Sequence, residues 1–553
     1  MNAPLPIPPT WTTGSTAVIK TGTWRASLPQ HRYAPSPCHA ACPVHGDIAS
    51  WIGQARAADW HGAWQTLSRH NPFPAVIGRV CHHPCESACN RAAYDAPLAI
   101  RCLERHVGDI ALERGWAFAA AAPRSERVAV VGGGPSGLSA AYQLRRRGFG
   151  VTLFEAQAAL GGLMRDGIPA YRLSRQVLDA EIARIVALGI DVRCGQSVAT
   201  PQALAELRAG FDAVYLACGA RLPKRLPQLD YTRPWLLDGA AYLAQANAGQ
   251  PPPLGRRLVV IGGGSAAFDV ARSARRAGHQ VTMLALEGEA QLPAQPEELF
   301  EAREEGIELR DATQLLRVVE LAGGLRLECQ RVRFDAGARP GEFRLTPLPD
   351  SPVVVEADAI VTAIGQDPDL APLAGTVERR GRLAAADASG ATGAAGVWAG
   401  GDLASDARFV SAAIGMGERA ALAIARTLDA RAGTGRAEAP AAALPSVELA
   451  EISLHYHPLQ PRAAAPRLDV AARLAGSAEV QLALDSGQAL AEAARCFSCG
   501  TCTHCDNCIT YCPDLAVQRA GDGYTVLTDY CKGCGLCVAE CPTGSMTMLE
   551  EAK

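Results

Sequence analysis

The feature of this sequence that most constrains its fold is a glycine fingerprint that occurs twice. In each copy an apolar run of strand length is followed by closely spaced small residues and then by a helical stretch. Such an arrangement makes a tight turn, brings a pyrophosphate against backbone N–H groups and leaves room for helix against strand. The small residues are Gly132, Gly134 and Gly137 in the first copy and Gly262, Gly264 and Ala267 in the second. Two copies predict two Rossmann-like units, each binding one dinucleotide.

An acidic residue completes the first copy. Glu155 ends the next apolar run, 151–154, where a carboxylate accepts hydrogen bonds from the adenosine ribose hydroxyls. A third element, 396–402, carries Gly401 and Asp402 ahead of a helical stretch, and such a group can reach a flavin ribityl and pyrophosphate. An ordinary turn with a capping Asp is the alternative for this element taken alone. We therefore expect FAD on the first unit and a nicotinamide dinucleotide on the second.

The spacing of the C-terminal cysteines is typical of a bacterial ferredoxin with two clusters. The pattern Cys-x2-Cys-x2-Cys-x3-Cys-Pro occurs twice between residues 502 and 542. Three thiolates of one loop bind three irons of a [4Fe-4S] cube, and the fourth cysteine crosses to the other cube. The expected ligand sets are Cys502, Cys505, Cys508 and Cys541 for one cluster and Cys512, Cys531, Cys534 and Cys537 for the other. A zinc ribbon is the less favoured alternative.

Bulk properties exclude several classes of protein. The chain has 553 residues, more than one core usually organises, and its net charge of −3 indicates neither a nucleic-acid partner nor a polybasic membrane patch. Residues 1–20 show no leader and no apolar run is long enough to span a bilayer, so we expect a cytoplasmic protein. Its 19 cysteines are mostly confined to two groups, which favours cluster ligands over disulfides.

Several motifs together resemble the glutamate synthase small-subunit family. The resemblance extends over about residues 20–430 and implies that FAD occupies the first unit, with Gly162 at its site, and that the nicotinamide unit is inserted in the first. It also implies that the N-terminal cysteines hold two [4Fe-4S] clusters. The motifs are 128–155, Gly161 to Pro169, Ala217-Cys-Gly219, Ala363-Ile-Gly365 and Ala399 to Asp402.

We expect an α/β protein of several domains. A helical stretch with cysteines precedes the two glycine fingerprints, and an Ala/Pro-rich stretch separates them from the ferredoxin-like tail. The expected division is an extended arm at 1–30, a helical iron–sulfur domain at 31–124, an FAD-binding domain at 125–254 and 376–430, an NAD(P)H-binding domain at 255–375, a linker at 431–493 and a two-cluster α+β ferredoxin domain at 494–553.

One element of the family is displaced in this chain. Family members usually carry Arg-Cys-x-x-Cys-Gly ahead of the position of Cys38, where this chain lacks it, but residues 495–500 match it. Our hypothesis assigns Cys38, Cys89, Cys496 and Cys499 to one cluster and Cys42, Cys81, Cys85 and Glu104 to the other. Glu104 aligns with a family position that can supply a ligand, and Cys102 competes with it. The alternatives are that Cys496 and Cys499 are merely buried thiols and that the N-terminal group holds a single cluster.

The second dinucleotide unit departs from the family at the end of its second strand. Family members typically have an arginine pair there, suited to the 2′-phosphate of NADPH, whereas this chain has Leu286 and Glu287. A carboxylate accepts a hydrogen bond from a free 2′-hydroxyl and repels a phosphate. We therefore expect NADH to be preferred over NADPH, unless Arg272, Arg275 or Arg276 reaches the phosphate.

These motifs predict an FAD-dependent NAD(P)H oxidoreductase that converts hydride into single electrons carried by [4Fe-4S] clusters, with no acid–base or nucleophilic catalytic residue. The expected partner is a ferredoxin or another oxidoreductase subunit, such as a 2-oxoacid:ferredoxin oxidoreductase, within a hetero-oligomer. The second hypothesis is a glutamate synthase small subunit that delivers electrons to a large subunit. The ferredoxin tail and the missing arginine pair count against it. A zinc-stabilised scaffold without redox function is the third, and two intact glycine motifs count against it.

Overall fold

The structure is a computed structural model that describes residues 20–22, 25–338, 341–433 and 444–551. The arm expected at 1–30 lies partly outside these ranges. Its last part forms strand β1 (Ser27–His31), which pairs antiparallel with Met546–Glu550 near the other end of the chain. The two ends of the described chain therefore share one small sheet.

Short helices follow β1, and most of them carry or flank cysteines. Proline at the first helical turn favours several of these starts, and the Asp59 carboxylate caps another by accepting from Gly62 N–H at 2.9 Å. Apolar residues at helical spacing meet in a core built on Trp51, Trp64 and Leu103. Burying each such side chain contributes about 1.5–3 kcal/mol. The helices are α1 Pro37–Ala41, α2 Ile48–Arg56, α3 Trp60–Ser68, α4 Pro74–Val80, α5 Pro84–Ser87 and α6 Ile100–Glu113.

The first dinucleotide unit alternates strands and helices from residue 127 onward. Its inner strands are buried at nearly every position, because a parallel sheet is covered on both faces. The elements are β2 Arg127–Val131, α7 Pro135–Arg145, β3 Gly150–Glu155, α8 Leu163–Asp166, α9 Arg175–Val186, β4 Asp191–Cys194, α10 Pro201–Gly210 and β5 Ala213–Leu216.

The second unit begins after β5 and has its own five-stranded parallel sheet, in the order β10-β9-β8-β14-β7. Helices α11 and α12 cover one face of it, and an antiparallel sheet of β11, β12 and β13 covers the other. The elements are β6 Leu222–Pro223, β7 Leu236–Asp238, α11 Gly239–Asn247, β8 Arg257–Ile261, α12 Ser265–Arg276, β9 Gln280–Leu284, α13 Pro296–Glu304, β10 Glu308–Arg310, β11 Thr313–Leu321, β12 Gly324–Ala336, β13 Phe343–Ala357, β14 Ala359–Thr362 and β15 Gln366–Asp367.

The chain then returns to the first unit. After β16 (Arg379–Arg380) and β17 (Leu383–Ala384), strand β18 (Val397–Ala399) pairs in parallel with β5 and completes the order β18-β5-β2-β3-β4. Helix α14 (Val410–Ala432) follows and packs along α7. The second unit is thus an insertion in the first, as the family resemblance implies.

Residues 444–493, within the stretch expected to be a linker at 431–493, include two α-helices. Ala489 and Ala493 of α16 are buried with Leu484 in the core around Trp51. The sequence does not reveal the buried face of α16, because alanines on a helix give no clear apolar periodicity in an alanine-rich stretch. Within the described ranges, no helix has the length and apolarity to cross a bilayer. The elements are α15 Val470–Leu474, α16 Ser486–Ala494, α17 Asn507–Thr510, β19 Val517–Ala520, β20 Gly523–Val526, α18 Leu536–Ala539 and β21 Met546–Glu550.

Candidate cofactor sites

The first glycine turn lies between β2 and α7 and is too tightly packed for larger residues. A Cβ atom on Gly132 would lie 2.3 Å from the Ala217 carbonyl oxygen, and one on Gly137 would lie 1.9 Å from the Gly132 carbonyl oxygen. A Cβ atom on Gly134, the N-cap of α7, would meet nothing within 4 Å. A closed base with an open rim at a helix N-terminus fits a pyrophosphate.

Glu155 closes one side of this turn. Its Oε2 atom accepts a hydrogen bond from Gly133 N–H at 2.7 Å, and its Oε1 atom accepts one from Gln157 N–H at 2.8 Å. These two bonds fix a buried carboxylate beside the glycine loop. Its remaining lone pairs can accept from the hydroxyls of a ribose.

Two distant glycines converge on the start of α7. A Cβ atom on Gly162 would lie 3.0 Å from Gly134 Cα, and one on Gly401 would lie 3.0 Å from Ser136 Cβ. Asp402 follows Gly401, and burial raises the pKa of its carboxyl. The structure therefore brings three separate segments to one helix N-terminus, with backbone donors and an acid that fit FAD.

The second glycine turn repeats this construction between β8 and α12. A Cβ atom on Gly262 would lie 2.4 Å from the Ala363 carbonyl oxygen and 3.2 Å from Ala267 Cβ, so the base is again closed. A Cβ atom on Gly264 would meet nothing within 4 Å. The same closed base and open rim fit the pyrophosphate of a second dinucleotide.

Glu287 occupies the place in the second unit that Glu155 has in the first. Its Oε2 atom lies 2.9 Å from a Cβ atom placed on Gly263, and the corresponding distance from Glu155 Oε2 to Gly133 is 3.0 Å. Burial raises the pKa of the Glu287 carboxyl. An acid so placed suits a free ribose hydroxyl.

The three arginines considered as phosphate ligands are engaged at the end of α13. Arg272 pairs with Glu301 at 2.8 Å and with Glu305 at 2.7 Å. Arg276 pairs with Glu305 at 2.8 Å, and Arg275 Nε donates to the Glu305 carbonyl oxygen at 2.9 Å. Each of the three arginines already binds an acceptor at this helix end, which weakens the case for a 2′-phosphate site.

Four N-terminal side chains form what we call the inner set: Cys42, Cys81, Cys85 and Glu104. Burial and then Glu104 raise the pKa of the Cys42 thiol to about 11 and of the Cys81 thiol to about 12. Burial and then Cys42 and Cys81 raise the pKa of Cys85 well above its usual range. Glu104 accepts a hydrogen bond from Asn71 Nδ2 at 2.7 Å. Three thiols and a carboxyl brought together fit a [4Fe-4S] cluster, whose irons stabilise the ionised ligands.

Cys102, the competitor of Glu104, lies in different surroundings. Burial raises the pKa of its thiol, and the charged groups that act on it are Arg101, Glu86, Arg462 and Glu297 rather than the thiols of the inner set. Glu104, unlike Cys102, is therefore among the groups that raise the pKa values of the three cysteines.

A second group, the shared set, combines residues from both ends of the chain. Cys38, Cys89, Cys496 and Cys499 line one pocket. Burial and then the thiols of Cys496, Cys89 and Cys499 raise the pKa of Cys38 well above its usual range. Asn90, 409 residues from Cys499 in sequence, donates from Nδ2 to its Sγ atom at 3.5 Å. Four convergent thiols fit the donor set of a cube.

The tail brings its eight cysteines into the two groups that their spacing predicts. Burial and then the thiols of Cys505 and Cys502 raise the pKa of the Cys508 thiol to about 12. Burial and then Cys531 and Cys512 raise the pKa of the Cys537 thiol to about 12. The first ferredoxin set is Cys502, Cys505, Cys508 and Cys541, and the second ferredoxin set is Cys512, Cys531, Cys534 and Cys537.

Several polar groups near the thiols could not be predicted from the sequence. Ser411, in the first turn of α14, lies near enough to lower the pKa of the Cys81 thiol, and His83 N–H donates to Cys81 Sγ at 3.3 Å. Hydrogen bonds to sulfur tune the reduction potential of a cluster. The backbone bond from two residues beyond a cysteine recurs and could be expected from a tight loop, whereas nothing in the sequence links Ser411 to Cys81.

The fold and these sites define an oxidoreductase with two dinucleotide units and several iron–sulfur ligand sets. The chain belongs to the pyridine nucleotide-disulphide oxidoreductase family, which matches residues 126–417. Residues 32–116 match domain II of dihydropyrimidine dehydrogenase, a 4Fe-4S domain, and residues 524–547 match a 4Fe-4S binding domain. The predicted fold class, FAD and NAD(P)H binding and [4Fe-4S] clusters are confirmed, and the matches weigh against a zinc-stabilised scaffold.

Several relatives are subunits of larger enzymes. The chain is 33% identical to the NADP(+)-dependent formate dehydrogenase subunit beta of Moorella thermoacetica, over 86% of this chain and 72% of that protein. It is 34% identical to the NADPH-Fe(3+) oxidoreductase subunit beta of Geobacter sulfurreducens, over 61% of this chain and 51% of that protein. It is 31% identical to the NAD-dependent dihydropyrimidine dehydrogenase subunit PreT of Escherichia coli, over 71% of this chain and 91% of that protein.

Proposed function

We propose that this chain is an NADH-linked electron-transfer subunit whose four ligand sets form one row, from the flavin site to the surface of the ferredoxin domain. FAD, when bound, accepts hydride from the nicotinamide and releases electrons singly to [4Fe-4S] clusters. The protein contributes the positions of these groups. The observation that carries the proposal is that adjacent sets share short stretches of chain.

The first step of the row joins the inner set to the shared set. Helix α1 holds Cys38 of the shared set and ends at Cys42 of the inner set. Helix α5 holds Cys85 of the inner set, and Cys89 of the shared set follows it closely. Two links of four residues therefore fix these sets side by side.

The second step joins the shared set to the first ferredoxin set. Cys499 and Cys502 are three residues apart, so their Cα atoms lie at most about 11 Å apart. Gly500 N–H, between them, donates to the Thr543 carbonyl oxygen at 2.6 Å and draws the chain beyond Cys541 toward the shared set. The third step runs through α17 and α18, each of which links a cysteine of one ferredoxin set to a cysteine of the other.

The two ends of the row differ in their surroundings. At one end, Cys81 of the inner set lies near Ser411 of α14, the helix that follows the Gly401–Asp402 element of the flavin site. At the other end, Cys534 of the second ferredoxin set is exposed, and Leu515 beside Cys512 is 72% exposed. The exposed ligand Cys534 leaves the terminal cluster accessible to a partner with a one-electron centre.

The partner is another oxidoreductase subunit or a ferredoxin, within a hetero-oligomer. Support comes from the relatives named as subunits of formate dehydrogenase, NADPH-Fe(3+) oxidoreductase and dihydropyrimidine dehydrogenase. NADH is the preferred nucleotide, because Glu287 stands beside the second glycine turn while the neighbouring arginines are paired elsewhere.

The test is an anaerobic titration of the purified, iron-loaded protein with NADH. We expect bleaching of the broad visible absorbance, reduced-cluster EPR signals from four clusters, and faster reduction by NADH than by NADPH. Persistent absorbance after NADH, or zinc in place of iron, would overturn the proposal. A fully reducible flavin with clusters that stay oxidised would overturn the row alone.

A further inference from the structure

The nucleotide-binding unit joins the FAD unit through a narrow connection. The chain crosses between the units at β6 and β15, which pair only at Gln366–Pro223 and Asp367–Leu222. A two-stranded ribbon of this size has marginal stability by itself and can act as a hinge. Hydride transfer requires close control of the distance and orientation of the two dinucleotides, so other contacts must fix the angle at this hinge.

Helix α13 of the nucleotide-binding unit supplies such contacts. Three of its acids pair with arginines from three other parts of the chain: the helical domain, the FAD unit and the segment before the ferredoxin domain. The pairs are Glu297 with Arg101 at 3.0 Å, Glu298 with Arg172 at 2.8 Å and Glu304 with Arg473 at 2.7 Å. Each guanidinium is mostly buried, so these pairs are less screened than surface pairs.

The last of these parts is a hairpin at 466–484, which we call the clasp. Leu468 N–H donates to the Val480 carbonyl oxygen at 2.9 Å, and Leu482 N–H donates to the Pro466 carbonyl oxygen at 2.8 Å. Val480 N–H donates in turn to the Tyr171 carbonyl oxygen of the FAD unit at 2.9 Å. The clasp therefore contacts both dinucleotide units at once.

Glu479 links the clasp to the helical domain and to the FAD unit. Its carboxylate accepts from Arg79 Nε at 2.7 Å, from Arg105 Nη2 at 2.7 Å and from Ser174 N–H at 2.9 Å. The two arginines belong to the helical domain, and Ser174 precedes α9 of the FAD unit. Charge-assisted hydrogen bonds of this kind are short and strong, and a partly buried carboxylate with three donors has one geometry.

We propose that the clasp sets the angle of the nucleotide-binding unit for hydride transfer, with Arg473 and Glu479 as positioning residues. Arg473 holds α13 through Glu304, and Glu479, next to Val480, holds the clasp against the FAD unit and the helical domain. The inference rests on the proposed function, because it assumes that NADH reduces the flavin of this chain. Neither residue has to touch a dinucleotide, since each acts through the element that it holds.

The test compares two clasp variants with a control variant that breaks a different ion pair in the nucleotide-binding unit. Glu479→Gln removes the charge that faces Arg79 and Arg105, but these two arginines lie close to the inner set. Arg473→Gln is therefore needed as well, because Arg473 contacts Glu304 of the nucleotide-binding unit and the Leu468 carbonyl oxygen of the clasp. The control is Arg317→Gln, which breaks a solvent-exposed pair with Glu328 at 2.5 Å on the surface of the antiparallel sheet.

Three measurements are made on each iron-loaded, FAD-loaded protein: flavin reduction by NADH in one turnover, flavin reduction by dithionite, and hydrogen exchange at the β6–β15 ribbon. Both clasp variants should slow the NADH reaction by on the order of tenfold or more, with unchanged NADH affinity, unchanged dithionite reaction and faster ribbon exchange. Arg317→Gln should match the wild type in all three.

The inference is overturned by wild-type NADH rates in both clasp variants, by equal slowing with NADH and dithionite, or by unchanged exchange at the ribbon. If the wild-type flavin is not reduced by NADH at all, the proposed function fails, and the exchange measurement alone then decides whether the clasp restrains the hinge.

Discussion

The Asn71 side-chain amide donates a hydrogen bond to Glu104 Oε1 at 2.7 Å, inside the domain that holds the inner set. Burial and then the nearby carboxyls of Glu181 and Glu86 raise the pKa of Glu104 to about 8, against the effect of this bond. Without iron, Glu104 would therefore be largely protonated at neutral pH. An iron beside it would keep it ionised, so the Asn71 bond orients a carboxylate that suits a fourth ligand.

The first prediction follows from this geometry. Glu104→Ala should lower the iron content or change the EPR spectrum of one cluster, because the inner set loses its only oxygen donor. Cys102→Ser is the matched control and should leave iron content and spectrum unchanged, since Cys102 lies among charged groups rather than thiols. The opposite pattern would make Cys102 the fourth ligand.

A second prediction concerns the shared set. Replacing both Cys496 and Cys499 by Ser should remove about four irons per chain, because a [4Fe-4S] cube that loses two ligands is not retained. The exposed Cys194 provides a control, and Cys194→Ser should keep the full iron content. Iron analysis combined with EPR checks the result. A double variant with undiminished iron would show that these two residues are merely buried thiols.

The sequence predicts the sites whose residues are close together in the chain. The glycine turns and the ferredoxin loops depend on spacings of two to four residues, which local geometry determines. The grouping of Cys38 with Cys496 has no local signal, and only the resemblance to a known family suggests it. It arises because Ala489 and Ala493 of α16 are buried in the helical domain. The alanine-rich sequence of this stretch does not predict that contact.

Other parts of the molecule could not be predicted because they depend on long-range packing. The clasp at 466–484 consists mostly of Ala, Leu and Val, like the alanine-rich stretch around it, and Glu479 acquires its role only when Arg79, Arg105 and Ser174 meet around it. The pairing of β1 with β21 likewise joins segments at opposite ends of the chain. Neither contact leaves a periodic pattern in the sequence.

A third prediction tests nucleotide choice. Glu287→Arg should raise the ratio of kcat/KM for NADPH over NADH by on the order of tenfold or more, because a cation replaces a carboxylate near the ribose position. The exposed Glu289 nearby pairs with Arg303, so Glu289→Gln is a control for a change of charge in the same loop. Steady-state reduction of a viologen dye gives both constants. An unchanged ratio in Glu287→Arg would place the discriminating residue elsewhere.

The fourth prediction concerns the pH dependence of stability and rests on Glu181 of α9. Its carboxylate is fully buried and accepts hydrogen bonds from Ala75 N–H at 3.2 Å and Val76 N–H at 2.9 Å. Burial raises its pKa from 4.5 to about 7, against smaller effects of Arg184 and these bonds. The folded protein therefore binds more protons at this site than the unfolded chain between these two values.

Because the unfolded chain binds fewer protons there, the Glu181 contribution to the free energy of unfolding is fully present below pH 4.5 and is lost as pH rises to about 7. The full loss is of the order of 3 kcal/mol. Glu181→Gln cannot titrate, so the difference in thermal stability between wild type and variant should shift in favour of the variant from pH 5.5 to pH 8. The exposed Glu206, changed to Gln, should show no such shift, and parallel melting profiles of wild type and Glu181→Gln would contradict the prediction.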